Sequence, residues 1–455
     1  MKNVFRFLSL GLIMAIFTGC SARSVAVPEG YVVIDSNNGY YKIPDYKAAN
    51  VPEILTGIPD NSFQGYAPAT DGLFILQFAD KDDSTPQSKT GTTDKIPVVK
   101  KFNKNGKLLW TKRYVTSGLG DGSGKLAAYQ DGFVLAVEKY PYNMGQLTDQ
   151  KGIIIRCDKE GNLLWQKEIE DYTGRMFSNL FITDAGDIVT IGNWKAEDGK
   201  QVAYDAPEDI VFTKFNDEGE MVLQKSFGNS DFENLLDAAY AKDIGFVLNY
   251  YTRIDSLPVN MLTCFDENFN LVSIYKGAGK EHFGPESIII ADGYIYQAGV
   301  KYTEAAGDEQ EDFLLKLDKT GRVIWREGSK SRVITAITLL NNGNLTVCGV
   351  EGDENYIRII DPDGKTLFEA TSKKDSAWTT LYPVKDGGFI TIDRRIIRNI
   401  PQPAYLSSIW YDTEIMAARY DQELNLIWRK TYNRYIDVTT QDFVYPTIDG
   451  RLLVE

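Results

Sequence analysis

Side chains suited to acid–base or nucleophilic chemistry are scarce in this chain. His282 is the only histidine among 455 residues, so a Ser-His-Asp triad would have to include it. Zinc sites usually combine several His or Cys ligands, which a single histidine does not supply. Asp231 stands at the matching place of the preceding repeat, which favours a surface position for His282 over a general base. We therefore predict no catalytic residue.

The cysteines and the clustered acids do not indicate a metal or cofactor site. Cys157, Cys264 and Cys348 are scattered through apolar segments, which favours buried free thiols over a disulfide framework. The acidic segment 80–83 lacks the central glycine and the twelfth-position glutamate of an EF-hand loop. We expect a solvated surface segment there, and we predict no bound metal and no cofactor.

Residues 1–19 have the layout of a secretory signal, in which Lys2 and Arg6 precede a short apolar run. The run is shorter than the roughly 20 residues of a transmembrane helix. Residues 16–20 resemble the bacterial lipobox, with Phe17 where a smaller aliphatic residue is usual. The resemblance implies that Cys20 is acylated and that residues 20–30 tether the protein to a bacterial envelope membrane, on its extracytoplasmic side. The resemblance does not decide between the periplasmic face and the cell surface. The alternative to acylation is that Cys20 only lies near an ordinary cleavage site.

The acidic composition argues against one class of partner. The chain carries 63 Asp and Glu against 49 Lys and Arg, for a net charge of −14. Loss of the signal would remove Lys2 and Arg6 and leave the chain more acidic. Phosphate backbones are bound mainly by clustered Lys and Arg. We therefore expect no nucleic-acid partner.

Two short patterns alternate along the chain and predict its organisation. The first is a tight turn followed by an apolar strand, and its eight copies begin at Asp71, Asp131, Ala185, Asp243, Asp292, Asn342, Asp386 and Asp449. The second is a strand, a polar turn and another strand, and its copies begin at Lys101, Arg156, Lys214, Cys264, Lys316, Ile359 and Arg419. Residues 32–43 form one more copy, whose first half lies at the other end of the chain.

Each repeat predicts four strands, joined by Asp, Asn and Gly residues that suit tight hairpins. One such sheet cannot bury both of its faces, whereas a ring of sheets packed face to face can. We predict an all-β protein with a single β-propeller over residues 31–455, of about eight four-stranded blades, with seven as the alternative. Residues 438–455 should pair with residues 31–43, so that the N- and C-terminal strands close the ring.

Four tryptophans recur four positions after the turn residue of the second pattern, at Trp110, Trp165, Trp325 and Trp428. A large flat side chain repeated in successive sheets suits packing between blades better than ligand stacking. We predict that these residues dock neighbouring blades.

Two segments carry a resemblance to known repeats. Residues 318–325 (DKTGRVIW) are similar to the AxDxxTGxxxW unit of PQQ-type propellers, and residues 386–393 (DGGFITID) resemble the DGGYIVAG repeat of secreted bacterial propellers. Such repeats occur in quinoprotein dehydrogenases and in outer-membrane assembly lipoproteins, so the resemblance implies the fold more than the function. Lys316 replaces a small residue of the PQQ-type unit, and the adjacent cysteines typical of quinoproteins are missing. We therefore expect no PQQ.

The predicted binding face is formed by the loops that join strands two and three and that join successive blades. Its longest segments are 80–95, 195–209 and 394–413. The last of these combines arginines and aromatic residues that suit contact with a partner or a glycan, and the alternative is that they pack onto their own blade. The candidate binding residues are Arg394, Arg395, Arg398, Tyr405, Trp410, Tyr411, His282 and Asp231.

These observations favour a monomeric, membrane-anchored propeller that acts as a non-catalytic binding or scaffolding protein. Its partner would be an envelope protein or a glycan. The alternative is a carbohydrate-active hydrolase or lyase that uses carboxylates at the mouth of the propeller channel, because an acidic chain supplies many candidate carboxylates.

Overall fold

The computed structural model of the protein describes residues 53–55, 63–69, 71–80, 95–104, 107–114, 123–139, 151–169, 174–194, 209–228, 233–254, 257–277, 281–302, 310–329, 332–352, 354–373, 377–400, 410–437, 444–446 and 452–454.

This part of the chain contains strands and turns only. The strands that precede blade 1 and form blades 1 to 3 are β1 (Glu53–Leu55), β2 (Phe63–Ala69), β3 (Gly72–Asp80), β4 (Lys95–Asn103), β5 (Leu108–Arg113), β6 (Ser123–Tyr129), β7 (Gly132–Lys139), β8 (Lys151–Cys157), β9 (Leu163–Ile169), β10 (Gly174–Ile182), β11 (Ile188–Trp194), β12 (Asp209–Phe215) and β13 (Met221–Phe227). Blades 4 and 5 contain β14 (Asn234–Ala241), β15 (Gly245–Ile254), β16 (Leu257–Phe265), β17 (Leu271–Lys276), β18 (Glu281–Ala291), β19 (Tyr294–Tyr302), β20 (Gln310–Asp318) and β21 (Val323–Ser329). Blades 6 and 7 and the C-terminal strands are β22 (Arg332–Leu339), β23 (Leu345–Glu351), β24 (Glu354–Ile360), β25 (Thr366–Lys373), β26 (Ala377–Pro383), β27 (Phe389–Ile400), β28 (Trp410–Tyr420), β29 (Leu426–Asp437), β30 (Val444–Pro446) and β31 (Leu452–Val454).

The strands from β2 to β29 form seven four-stranded sheets in the described chain, and in each sheet the strand order follows the chain. Neighbouring strands of a blade are antiparallel, as in β10 to β13 of blade 3. The first strands of consecutive blades contact each other from blade 1 to blade 7. The protein is therefore an all-β, seven-bladed propeller, with the smaller of the two blade numbers that the repeats predicted.

The chain contains a further, smaller sheet near its ends. β31 pairs with β30 in antiparallel and with β1 in parallel orientation, with Ile54 opposite Leu453. The predicted eighth four-stranded blade is thus not found in the described chain, where three strands of three residues each stand in its place. Such short strands make few ladder hydrogen bonds. The predicted partner of the C-terminal strands, residues 31–43, lies outside the described residues.

The hydrophobic core lies between consecutive blades. Side chains of a strand alternate between its two faces, so one face of each of blades 2 to 6 packs on the preceding blade and the other on the following blade. Between blades 1 and 2, Phe74 and Leu76 pack against Phe133 and Leu135, all four fully buried. Each such side chain contributes about 2–3 kcal/mol by burial, which explains the continuous apolar runs in the second strands.

The turns between the third and fourth strands share one hydrogen-bond pattern. In blade 2, the Asp158 carboxylate accepts hydrogen bonds from the backbone N–H of Asn162 at 2.7 Å and from its side-chain amide at 2.9 Å. Gly161 has a φ of 75°, a left-handed conformation that glycine adopts without steric cost. Blades 4 and 7 place Phe269 and Leu424 at this position, with φ of 58° and 65°.

Candidate functional site

The predicted binding loop of residues 394–413 is largely strand. β27 continues to Ile400 and β28 begins at Trp410, and their register places Ile400 opposite Trp410 and Arg395 opposite Glu414. The prediction of a long loop was therefore wrong for most of this segment. Its β-branched isoleucines favour an extended conformation, which lengthens the hairpin of blade 7.

The hairpin brings several candidate residues onto two paired strands. Arg394, Arg395 and Arg398 lie on β27, and Trp410 and Tyr411 lie on β28. Tyr405 lies outside the described residues, as do segments 81–94 and 195–208.

His282 lies on the innermost strand of blade 5, away from that hairpin. It is in β18, with its backbone opposite Val300 of β19. Asn234, opposite Tyr251, holds the corresponding register position in blade 4. Asp231, which the sequence places there, lies outside the described residues.

A second surface is more regular than the predicted one. Fifteen of the sixteen exposed large hydrophobic residues in the described chain lie on the fourth, outermost strands. In every blade they include two neighbouring residues near the start of that strand, and Leu163 and Leu164 of blade 2 are each 55% exposed. The fifteen are Leu108, Leu109, Leu163, Leu164, Met221, Val222, Leu271, Val272, Ile274, Val323, Ile324, Leu367, Phe368, Leu426 and Ile427. We call this set the outer apolar pairs.

The outer apolar pairs lie at the opposite end of the blades from the predicted binding face, because each fourth strand begins where the third strand ends. The sequence carries a signal for them in the repeated apolar dipeptide that follows each polar turn, for example Leu163-Leu164 and Leu426-Ile427. Exposed large apolar side chains that recur at one place in successive blades are candidates for contact with another protein.

The recurrent tryptophans contact the following blade. Trp110 lies 6.2 Å from the Phe133 ring, between ring centroids. The Nε1–H of Trp165 donates to the Asp217 carbonyl at 2.6 Å, and that of Trp325 donates to the Pro362 carbonyl at 3.1 Å. Trp428 of blade 7 differs, because its buried Nε1 has no acceptor among the residues described.

The basic residues at the end of the third strands belong to the scaffold. In three blades a mostly buried cation pairs with the acid of the turn between strands one and two. The pairs are Lys101 with Asp71, Lys214 with Asp187 and Arg419 with Asp386. The hydrogen bond from Lys101 lowers the pKa of Asp71. The turn aspartates therefore join the strands as well as shaping the turns.

Lys316 is the departure from the PQQ-type repeat, and its environment explains it. Its Nζ lies 4.1 Å from the Tyr294 ring centroid and donates to the Pro362 carbonyl at 2.6 Å. Burial lowers the pKa of this ammonium group. The long side chain thus fills the space beside blade 6, where it makes a cation–π contact.

Buried polar side chains bridge several blade junctions. Asn193 of blade 3 donates to the Glu233 carbonyl at 2.5 Å and accepts from the Leu235 N–H at 3.0 Å, both at the first strand of blade 4. Elsewhere a carboxylate accepts from a backbone N–H of the next blade. These contacts join Glu138 to Phe177 and Asp312 to Ile334.

Asp393 of β27 is different from those residues. It is 1% exposed, and neither of its carboxylate oxygens has a hydrogen-bond partner among the residues that the structure describes. Burial raises its pKa to about 7, although the charge of Arg429 acts in the opposite direction. Buried titratable groups of this kind often mark functional positions. The sequence signal for this residue is a single acid at the end of an otherwise apolar strand, FITID.

The described residues contain no group of three or more His, Cys, Asp or Glu side chains placed to hold a metal ion. Cys157, Cys264 and Cys348 are all buried and free, which confirms the prediction for these thiols. In the part of the chain with described coordinates, no helix is long and apolar enough to span a membrane.

Comparisons with known proteins identify no family for this chain and only distant structural likenesses. No protein-family model matches the chain, and no curated protein matches it. A prolyl endopeptidase structure is 12% identical with a TM-score of 0.46, covering 86% of this chain and 53% of its own. The chain therefore spans about half the length of that enzyme.

Two other solved structures are similar over their own length. The polysaccharide lyase Uly1 is 9% identical with a TM-score of 0.42, covering 90% of this chain and 94% of the lyase. A protein of unknown function from Bacteroides caccae is 12% identical with a TM-score of 0.28, covering 49% of this chain and 89% of its own. Likenesses this distant transfer no function.

Proposed function

We propose that this protein is a non-catalytic binding or scaffolding propeller of the bacterial envelope. The proposal rests on the outer apolar pairs. Single exposed apolar residues are common on protein surfaces, but two exposed large apolar residues at the same place in every blade indicate a contact site. Apolar side chains of this size favour a protein partner over a glycan. The extended hairpin of blade 7 carries Arg394, Arg395, Trp410 and Tyr411 on its two strands, and we propose this hairpin as a second contact segment.

The anchoring of this propeller is a separate part of the proposal. We propose that Cys20 is acylated and holds the mature chain on the extracytoplasmic side of a membrane, where stable attachment requires more than one acyl chain. Labelling cells with an alkyne analogue of palmitate tests this. Label should be incorporated into the wild-type chain and lost in Cys20→Ala, while Cys157→Ala keeps it. Equal labelling of both variants contradicts the proposal.

We also propose that the ring is closed by pairing of residues 438–455 with residues 31–43, in a repeat of the PQQ-like type. Trp165 and Trp325 each donate a hydrogen bond to a turn carbonyl of the next blade. The Nε1–H of Trp428 has no acceptor among the described residues, and a further sheet formed by the terminal strands would supply one. Trp428→Phe should then cost about as much stability as Trp165→Phe, roughly 1 kcal/mol for the lost hydrogen bond. Urea unfolding measures both. A negligible cost for Trp428→Phe argues against closure by these residues.

The alternative function, a carbohydrate-active hydrolase or lyase, requires carboxylates that reach a sugar. Asp393 has the raised pKa of a general acid, but it is buried between blades and does not face solvent. Asp393 therefore does not support this alternative. Glycan hydrolysis by the purified protein would reverse this ranking.

The decisive experiment is crosslinking in the cells that produce the protein, followed by mass spectrometry of the captured peptides. Leu164→Lys is compared with Gln166→Lys, which adds the same charge on the same outer strand. We expect one envelope protein to be captured by the wild type and by Gln166→Lys, and to be lost with Leu164→Lys. Capture of abundant neighbours alone, or equal capture by both variants, contradicts a role for the outer apolar pairs.

A further inference from the structure

Asp393 faces the junction between blades 6 and 7. β27 is regular from Phe389 to Asp393, so both side chains point to the same face. Phe389 packs there in a cluster with Cys348 and Ile357 of blade 6. Asp393 is therefore buried against blade 6, next to a fully buried thiol.

The groups around Asp393 do not neutralise its charge. Cys348 faces it from β23, and the pKa of this thiol is raised mainly by burial and also by the negative charge of Asp393. Tyr420 faces it from β28, and its pKa is raised mainly by burial and also by Asp393. Arg429 of β29 is the one cation that acts on it among the described residues. Thr335 of β22 lies 3.6 Å from the Cys348 sulfur and adds only a hydroxyl group.

We propose that the junction between blades 6 and 7 is a proton-responsive contact, closed when Asp393 is neutral and loosened when it is ionised. The other polar junctions explain the contrast. Asn193, Glu138 and Asp312 each accept a backbone N–H from the next blade, so their polarity is compensated inside the protein. An ionised Asp393 has no such donor, and only water can supply one.

The direction of the response follows from the raised pKa. The closed junction holds its proton up to about pH 7, whereas an exposed aspartate has a pKa of 3.8. Closure is therefore most favoured below about pH 4 and becomes progressively weaker as pH rises through 7. Because Arg394 and Arg395 follow Asp393 directly on β27, loosening would alter how blade 7 presents its hairpin. The proposal does not depend on the binding function.

Thiol labelling of the full-length protein tests the proposal, with the three buried cysteines as internal reporters. The protein is exposed to N-ethylmaleimide between pH 6 and pH 8.5, and labelling of each cysteine is read by peptide mass spectrometry. Cys264 is buried against blade 5 and corrects for the intrinsic pH dependence of thiol reactivity. The ratio of Cys348 to Cys264 labelling should rise about tenfold over this range for a closed-state pKa near 7 and an open-state pKa of 3.8.

The matched variant is Asp393→Asn, which keeps the side-chain shape and removes the titration. Its labelling ratio should stay constant over the same pH range. A constant ratio in the wild type overturns the proposal, as does an equal rise in Asp393→Asn. If the variant does not fold, hydrogen exchange of wild-type β26 and β27 peptides gives the second readout. Their exchange, corrected for its intrinsic pH dependence, should accelerate between pH 6 and pH 8.5 relative to β14 and β15 peptides, and uniform behaviour contradicts the proposal.

Discussion

Blades 3 and 4 pack against each other through their sheets, as blades 6 and 7 do. The two junctions differ in whether a buried polar side chain finds a hydrogen-bond partner. Each contains a buried polar side chain of a second strand: Asn193 faces the following blade in the former, and Asp393 faces the preceding blade in the latter. Asn193 makes two hydrogen bonds to the backbone of blade 4, and the Asp393 carboxylate makes none within the described part of the chain. A buried polar group therefore strengthens a blade junction only when the adjacent backbone supplies its partner.

The largest expected effect is at the junction of blades 3 and 4. Asn193→Ala removes both hydrogen bonds and leaves the Glu233 carbonyl and the Leu235 N–H unpaired. We expect the free energy of unfolding to fall by about 2–4 kcal/mol, measured by urea denaturation. Thr190→Val on the same strand is the control, because the buried Thr190 hydroxyl has no hydrogen-bond partner. A similar loss of stability in both variants would show that the two hydrogen bonds of Asn193 are not what stabilises this junction.

The next effect depends on pH and concerns Asp393. Because its pKa is about 7 in the folded protein, its contribution to stability is complete below about pH 4 and is lost as pH rises through 7. The loss amounts to roughly 4 kcal/mol at most. We expect Asp393→Asn to be more stable than the wild type by about 2 kcal/mol at pH 8.5, since the amide still lacks partners.

The measurement is urea unfolding of both proteins at pH 5 and pH 8.5. The advantage of Asp393→Asn should shrink or reverse at pH 5, where the wild-type carboxyl group is neutral. An advantage of the same size at both pH values would show that the titration of Asp393 is not its source.

The smallest effect is in the turn of blade 7 beside the same junction. Leu424 packs partly against the cluster of blades 6 and 7 and has a φ of 65°, a conformation that costs a non-glycine residue about 1 kcal/mol. Leu424→Ala and Leu424→Gly remove similar contacts, but only glycine relieves this strain. We expect the glycine variant to be more stable than the alanine variant by about 1 kcal/mol in thermal or urea unfolding. Equal stability would indicate an unstrained turn.

Much of the fold could be predicted because its signals are local. The Asp-Gly turns at Asp131 and Asp386 and the polar turns at Asp158 and Asp318 mark where strands end, and these recur in all seven blades. The number of blades was less certain, since the incomplete copies at 32–43 and Asp449 depend on pairing between distant segments. The segment 394–413 was assigned to a loop for a related reason, because strand pairing there lengthened the hairpin beyond its usual turn.

The candidate sites were harder to predict than the fold. The outer apolar pairs were visible as dipeptides such as Leu163-Leu164, but the sequence could not show that the outermost strand leaves both residues exposed. Asp393 was visible as an acid within an apolar strand, but its lack of a partner depends on what blade 6 places beside it. Both properties come from the neighbouring strands.

The sequence by itself determined the strands, the turns and the repetition of one four-stranded unit, because alternation and turn residues act within about ten positions of each other. Only the tertiary structure decided which buried polar residues form hydrogen bonds to a neighbouring blade and which stay unpaired among the described residues. The residues that meet at a blade junction are far apart in the sequence, from 22 positions for Asp312 and Ile334 to 42 for Asn193 and Leu235. Their hydrogen bonds depend on how adjacent sheets stack, which leaves Asn193 as a satisfied amide and Asp393 as an isolated acid among the described residues.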